Sequence, residues 1–157
     1  MQEAGWSEAA VRGLLAGAAG TLALNGLTYL DMVWRGRPAS QVPAEMAKQL
    51  AGSVGVDLGP DHDSKSNRSQ GLGALMGYAA GLGLATTYAF FLRRRSRLSL
   101  PVGATVLTIA AMVPGNIPAV LAGVTDPNDW TARDWLADVI PHAGYGLTAA
   151  ATHRWLS

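Results

Sequence analysis

The residues Leu14–Val33, LLAGAAGTLALNGLTYLDMV, carry a single charged side chain, Asp31, and are followed at once by Trp34. A helix of about 20 mainly apolar residues matches the hydrocarbon thickness of a bilayer. Three further stretches of similar length and character run over residues 71–92, 102–124 and 136–156. All five tryptophans fall at the ends of these stretches: Trp6 precedes the first, Trp34 closes it, Trp130 and Trp135 open the fourth, and Trp155 ends it. Indole rings favour the headgroup layer, where an apolar body and a polar N–H are both accommodated. The expected fold is all-α, an integral membrane four-helix bundle forming a single transmembrane domain over residues 1–157. Its one sizeable extramembrane segment, residues 35–70, lies between the first two spans.

A chain of 157 residues has room for one domain. Its mean hydropathy of +0.17 is low for a membrane protein, because glycine and threonine make up much of the spans. Charge distribution sets an expected orientation. Arg93, Arg94, Arg95 and Arg97 form a compact cluster between the second and third spans, and by the positive-inside rule this loop is cytoplasmic. Both termini of this multi-pass chain are then expected to face the cytoplasm. Arg35 and Arg37, just beyond the first span, argue the other way but are outnumbered. The first span does not read as a secretory signal: Glu3 and Glu8 flank it, its apolar run is long, and no small-x-small site precedes Arg35. There is no cysteine, hence no disulfide, thiolate ligand or cysteine nucleophile.

Residues 1–13 read as a short interfacial lead with Ser7 as a helix cap. Gly13, Gly17 and Gly20 in the first span, and Gly73, Gly77 and Gly81 in the second, recur at helical spacing. Small residues at that spacing let helix backbones approach closely, so the two spans are expected to pack through glycine faces. Gly83 and Gly103 carry no such pattern. In the intervening segment, Ser40 is placed to cap a helix running to about Ala51 and stopped by Gly52, with Pro43 in its first turn. Val42, Met46 and Leu50 form an apolar stripe, which predicts a short amphipathic helix on the outer membrane surface. Gly55 to Gln70 is rich in Gly, Asp, Ser and Asn and reads as an irregular loop.

Pro114 and Pro118 lie near the centre of the third span and flank Asn116. Each proline removes a helical hydrogen bond, so a broken third helix is expected, with Asn116 near the depth of Asn25. In the fourth, Thr131 and Asp134 have capping-box spacing, while Pro141 is expected to interrupt the helix.

Candidate functional residues are few. Asn25, Thr28 and Asp31 share one side of the first span. An ionisable residue within a span is a functional hypothesis by default, although Asp31 also stands four residues from Arg35, an ion-pair spacing. Asp138 and His142 share a face of the fourth span, where a carboxylate–imidazole pair could relay protons, bind a cation, or simply solvate the helix around Pro141. Asn25, Asp31, Asn116, Asp138 and His142 together would make a polar path. His142 and His153 also share a face, but axial haem ligation requires opposing helices, and the first three spans contain no histidine. Asp61-His62-Asp63-Ser64-Lys65-Ser66 falls short of a calcium loop, with Lys65 and Ser66 where an oxygen ligand and a glycine are needed. No nucleotide-binding or hydrolase signature occurs, so no cofactor, metal or enzymatic activity is expected.

The run Gly13-Leu-Leu-Ala-Gly-Ala-Ala-Gly-Thr21, with Tyr29-Leu-Asp-Met32, Arg35-Gly-Arg-Pro-Ala-Ser40, Gly123-Val-Thr-Asp-Pro127 and Trp130 to Asp138, resembles small four-span membrane proteins of high-GC actinobacteria. The resemblance implies a plasma-membrane location and brings no activity, since none is established for that group. The function expected from the residues is that of a structural or accessory subunit, packing on itself or on a larger membrane complex through glycine faces. The alternative is an oligomeric channel or transporter with a polar path at the broken third span. An enzyme acting on lipid has only Asp138 and His142 behind it. The expected partners are the bilayer, further copies of the chain or a larger complex, and not nucleic acid.

Overall fold

A computed structural model of the chain describes residues 5–93 and 98–157. Arg94, Arg95 and Arg97 of the basic cluster lie outside the described residues. Among the described residues there are five α-helices, α1 (Trp6–Arg35), α2 (Val42–Ser53), α3 (His62–Leu92), α4 (Leu100–Leu121) and α5 (Ala132–Leu156), with one 3₁₀ turn at Pro127–Asp129. Among the described residues there is no strand.

Helix boundaries follow local chemistry. α1 starts at Trp6 with Gly5 at its cap, so the expected interfacial lead is helical from Trp6 onward and Ser7 lies inside the helix; residues 1–4 lie outside the described residues. Glu8 in the first turn favours this early start, both through the helix dipole and through its ion pair with Arg12. α1 stops at Gly36, whose φ of 63° a side chain would resist. Gln41 holds the position before the first turn of α2 and makes no side-chain cap bond, whereas the Ser40 hydroxyl accepts the Val42 N–H at 3.3 Å; the helix runs to Ser53. α3 overturns part of the expected loop, for only its first half is irregular. Asp61 accepts the Ser64 N–H at 2.8 Å and caps the helix, so His62 to Gln70 are helical. Their polar side chains bond along the helix: Ser69 donates to the Ser66 carbonyl at 2.9 Å, and Gln70 to the Ser66 hydroxyl at 3.1 Å.

α4 and α5 correct the expectation of broken helices. α4 continues through Pro114 and Pro118, and α5 through Pro141. The cost is local: Pro114, Pro118 and Pro141 deprive the carbonyls of Ala110, Pro114 and Ala137 of their usual i+4 donors. α5 begins with the capping box read from the sequence, in which Asp134 N–H reaches the Thr131 hydroxyl and the Asp134 carboxylate takes the Thr131 N–H.

α1 is the central helix. One flank packs on α3 and another on α5; α4 packs on the far side of α5 and meets α3 only slightly. α1 and α5 are antiparallel, with Leu27, Asp31 and Arg35 beside Arg133 and Leu136, and Ser7 and Val11 beside Leu156. The core is built of small residues, Ala16, Ala85, Ala149 and Ala150, around Leu107 and Tyr145. In lipid, such a core gains through close van der Waals contact rather than through exclusion of water. α2 lies on α3 through Ala47 and Ala51, leaving Leu50 of the expected stripe exposed.

Three helices, α1, α3 and α4, are long and apolar enough to cross a membrane. Of the four expected spans, these three have the length and apolarity to cross; α5 does not reach the same apolarity, with Asp138 and His142 inside its apolar run.

Candidate functional site

Among the described residues, Asn116 and Asp138 carry the one side-chain polar link between α4 and α5. The Asn116 Nδ2 donates to Asp138 Oδ2 at 2.8 Å. His142 stands one turn further along α5, with Nδ1 2.7 Å from the Asp138 carbonyl oxygen and 3.4 Å from its carboxylate. A carbonyl oxygen only accepts, so Nδ1 carries hydrogen, and in the neutral ring Nε2 is left with a lone pair. Asp138 and His142 are each 18% exposed at the side chain. This polar spot coincides with the prolines: Asn116 sits between Pro114 and Pro118, and Pro141 separates Asp138 from His142. The carbonyls freed by those prolines add acceptors at the same level.

Asn25 does not join this cluster. Its Nδ2 approaches the Tyr78 hydroxyl of α3 at 3.4 Å, on the flank between α1 and α3. Thr28 turns back to the Leu24 carbonyl at 2.9 Å. Asp31 lies at the far end of α1, where Oδ2 is held by Arg35 at 2.6 Å and by Arg37 at 2.5 Å. The five residues of the expected polar path therefore occupy three separate places.

The glycines divide similarly. A Cβ on Gly17 would stand 2.8 Å from both the Gly81 carbonyl and the Leu82 Cα, and one on Gly13 would strike the Thr86 backbone. Gly20 faces Tyr145 of α5 instead, Gly81 meets Thr21, and Gly73 faces the Pro43 carbonyl of α2. A Cβ on Gly77 would meet nothing outside its own turn of helix within 4 Å. Gly103, which follows no small-residue pattern in the sequence, abuts Tyr88 and Ala150, and Gly146 abuts the α4 backbone at Ala104 and Thr108. Sequence reasoning misses Tyr145 and Gly146; the Gly144-Tyr145-Gly146 triplet is their only signal.

Where the C-terminal end of α1 meets the start of α5, a cavity of about 210 Å³ lies among Leu27, Asp31, Arg35, Arg133, Leu136, Ile140 and their neighbours. Asp134 completes the charged group at this end. Hydrogen bonds from the Thr131 hydroxyl and N–H hold its carboxyl below the usual range, with Arg35 and Arg37 adding a smaller pull. At the opposite end, Arg93 stacks 3.6 Å above the Trp6 ring, and Trp6 meets Phe90 edge to face.

Compared with protein-family models, with curated proteins and with solved structures, the chain matches none of them.

Proposed function

We propose that this chain is a non-enzymatic, accessory or structural subunit of the plasma membrane, with α5 as a fourth span beside α1, α3 and α4. In this reading both termini are cytoplasmic and α2 rests at the outer surface. Three observations support α5 as a span. It runs antiparallel to α1, its Arg154 reaches back to the Leu98 carbonyl at 2.9 Å, and it carries a tryptophan near each end, Trp135 and Trp155, as α1 does with Trp6 and Trp34. Trp6 and Trp155 stand at one end, and Trp34, Trp130 and Trp135 at the other. Trp34 and Trp155 are 91% and 84% exposed, as interfacial anchors would be.

The observation that carries the subunit reading is the open flank of α3. Residues 74–80 are exposed although they lie in the middle of a helix of spanning length. A Cβ on Gly77 would meet nothing within 4 Å, and Tyr78 beside it is 50% exposed. An open glycine in a spanning helix invites another backbone. Of the six glycines on the striped faces, Gly13, Gly17, Gly20, Gly73 and Gly81 serve the chain's own packing and Gly77 is open to a neighbour, as Gly71 and Gly83 of α3 also are.

Native mass spectrometry after gentle extraction from native membranes tests this. Recovery with a larger complex, or as a homo-oligomer, supports the reading if Gly77→Leu dissociates it while the chain still inserts. A monomer carrying only lipid, alike for both forms, overturns it. The Asn116–Asp138–His142 cluster favours a second reading, an oligomeric channel or transporter with its polar path between α4 and α5. That reading requires Asn116→Leu to fold and to abolish a flux.

A further inference from the structure

The cavity between α1 and α5 has a charged end and an apolar end. Asp31, Arg35 and Arg133 stand at one end, and Leu27 and Ile140 one to two helical turns away along the antiparallel pair. The two helices thus present the same polar-to-apolar gradient in the same direction. At the charged end the balance favours anions. Asp31 is already shared between Arg35 and Arg37, and Asp134 is occupied in the capping box. Among the described residues no carboxylate pairs with Arg133, which is exposed. Arg133 is also the second residue of α5, where a cation opposes the helix dipole. An unpaired guanidinium placed against the dipole, beside a second guanidinium and above apolar walls, is the complement of a phosphate carrying a hydrocarbon chain. The volume of about 210 Å³ is below the range of pockets that enclose a whole ligand, which suits a groove that takes the phosphate and the first part of one chain.

The geometry points to a binding site for a single anionic phospholipid, its phosphate on Arg133 and Arg35 and one acyl chain along Leu27, Leu136 and Ile140. Placing this site at the bilayer rests on the membrane reading but not on any partner protein. The experiment is native mass spectrometry of the purified chain in detergent doped with phosphatidylglycerol or with phosphatidylcholine of the same chains. Wild type is expected to retain phosphatidylglycerol several-fold better than phosphatidylcholine. Arg133→Gln abolishes that preference and Arg133→Lys keeps part of it. Arg133 is exposed and pairs with no described carboxylate, so neither change threatens the fold; a circular-dichroism melt confirms this. Ile140→Asn weakens retention of both lipids. Equal retention of the two lipids by wild type, or an unchanged preference in Arg133→Gln, overturns the proposal. So does soluble glycerol phosphate competing as well as the intact lipid, because the apolar wall would then be idle. Loss of oligomer without loss of lipid preference would count against the subunit reading alone.

Discussion

The hydroxyl of Tyr145 on α5 donates a 2.6 Å hydrogen bond to the carbonyl of Gly81 on α3, two helices that meet by way of α1. The ring is 1% exposed and lies against Gly20, where a Cβ would stand 2.7 Å from it. One side chain thus links three helices. Tyr145→Phe keeps the ring and removes the bond, and should lower stability by about 1 kcal/mol. Thermal unfolding in detergent would show it as a reduced Tm with unchanged helicity.

Close packing of α1 against α3 is backbone on backbone. Gly17→Leu puts a side chain where the Gly81 carbonyl and Leu82 Cα leave no room, and neither can move aside cheaply. We expect destabilisation of about 1–3 kcal/mol or more, the range of overpacked cores. Gly77→Leu meets open space and should leave the Tm of the isolated chain nearly unchanged. Equal losses from both would contradict the assigned faces.

Asn116 and Asp138 should behave as a coupled pair. Asn116→Leu strands the carboxylate between α4 and α5 and should cost about 1–3 kcal/mol. Adding Asp138→Leu removes the stranded group, so the double variant should recover part of that loss in a thermodynamic cycle.

Acid should weaken the start of α5 before its middle. The capping box holds the Asp134 carboxyl below its ordinary 3.8. A lowered folded value means that its contribution is complete above 3.8 and fades as pH falls from there through the folded value. Asp61, held down by the Ser64 N–H, loses its cap on α3 in the same window. Unfolding followed between about pH 5 and pH 2.5 should lose part of its slope in Asp134→Ala, since that variant no longer binds the proton.

The orientation is testable because the chain contains no cysteine. If α5 crosses the membrane, Ser157→Cys and Gly55→Cys should be labelled by an impermeant maleimide from opposite sides. Labelling of both from one side would leave α5 on the surface and reduce the bundle to three spans.

Much of the fold is legible in the sequence, and the rest is hidden for physical reasons. Apolar length alone marks α1, α3 and α4, and the spacing of Thr131 and Asp134 marks the start of α5. Periodicity says which residues share a face but not which helix that face meets. Gly17 and Gly20 accordingly read alike, although one meets α3 and the other α5. Asp, Ser and Asn between 61 and 70 suggest a loop because they compete with the backbone for hydrogen bonds, whereas here one of them caps the helix and the others bond along it. Prolines suggest a break, yet α4 and α5 run on through theirs, each proline costing one backbone bond rather than ending the helix. Arg133 carries no signal in the sequence at all; only its place beside Asp31 and Arg35 makes it notable.

The subunit account turns on whether another chain covers α3 at Gly77. A photo-cross-linkable residue in place of Gly77, activated in intact native membranes, tests this without detergent. The account predicts a discrete adduct with a second copy or with a larger membrane protein, absent when the same residue replaces Gly17. Cross-linking to lipid alone would contradict it.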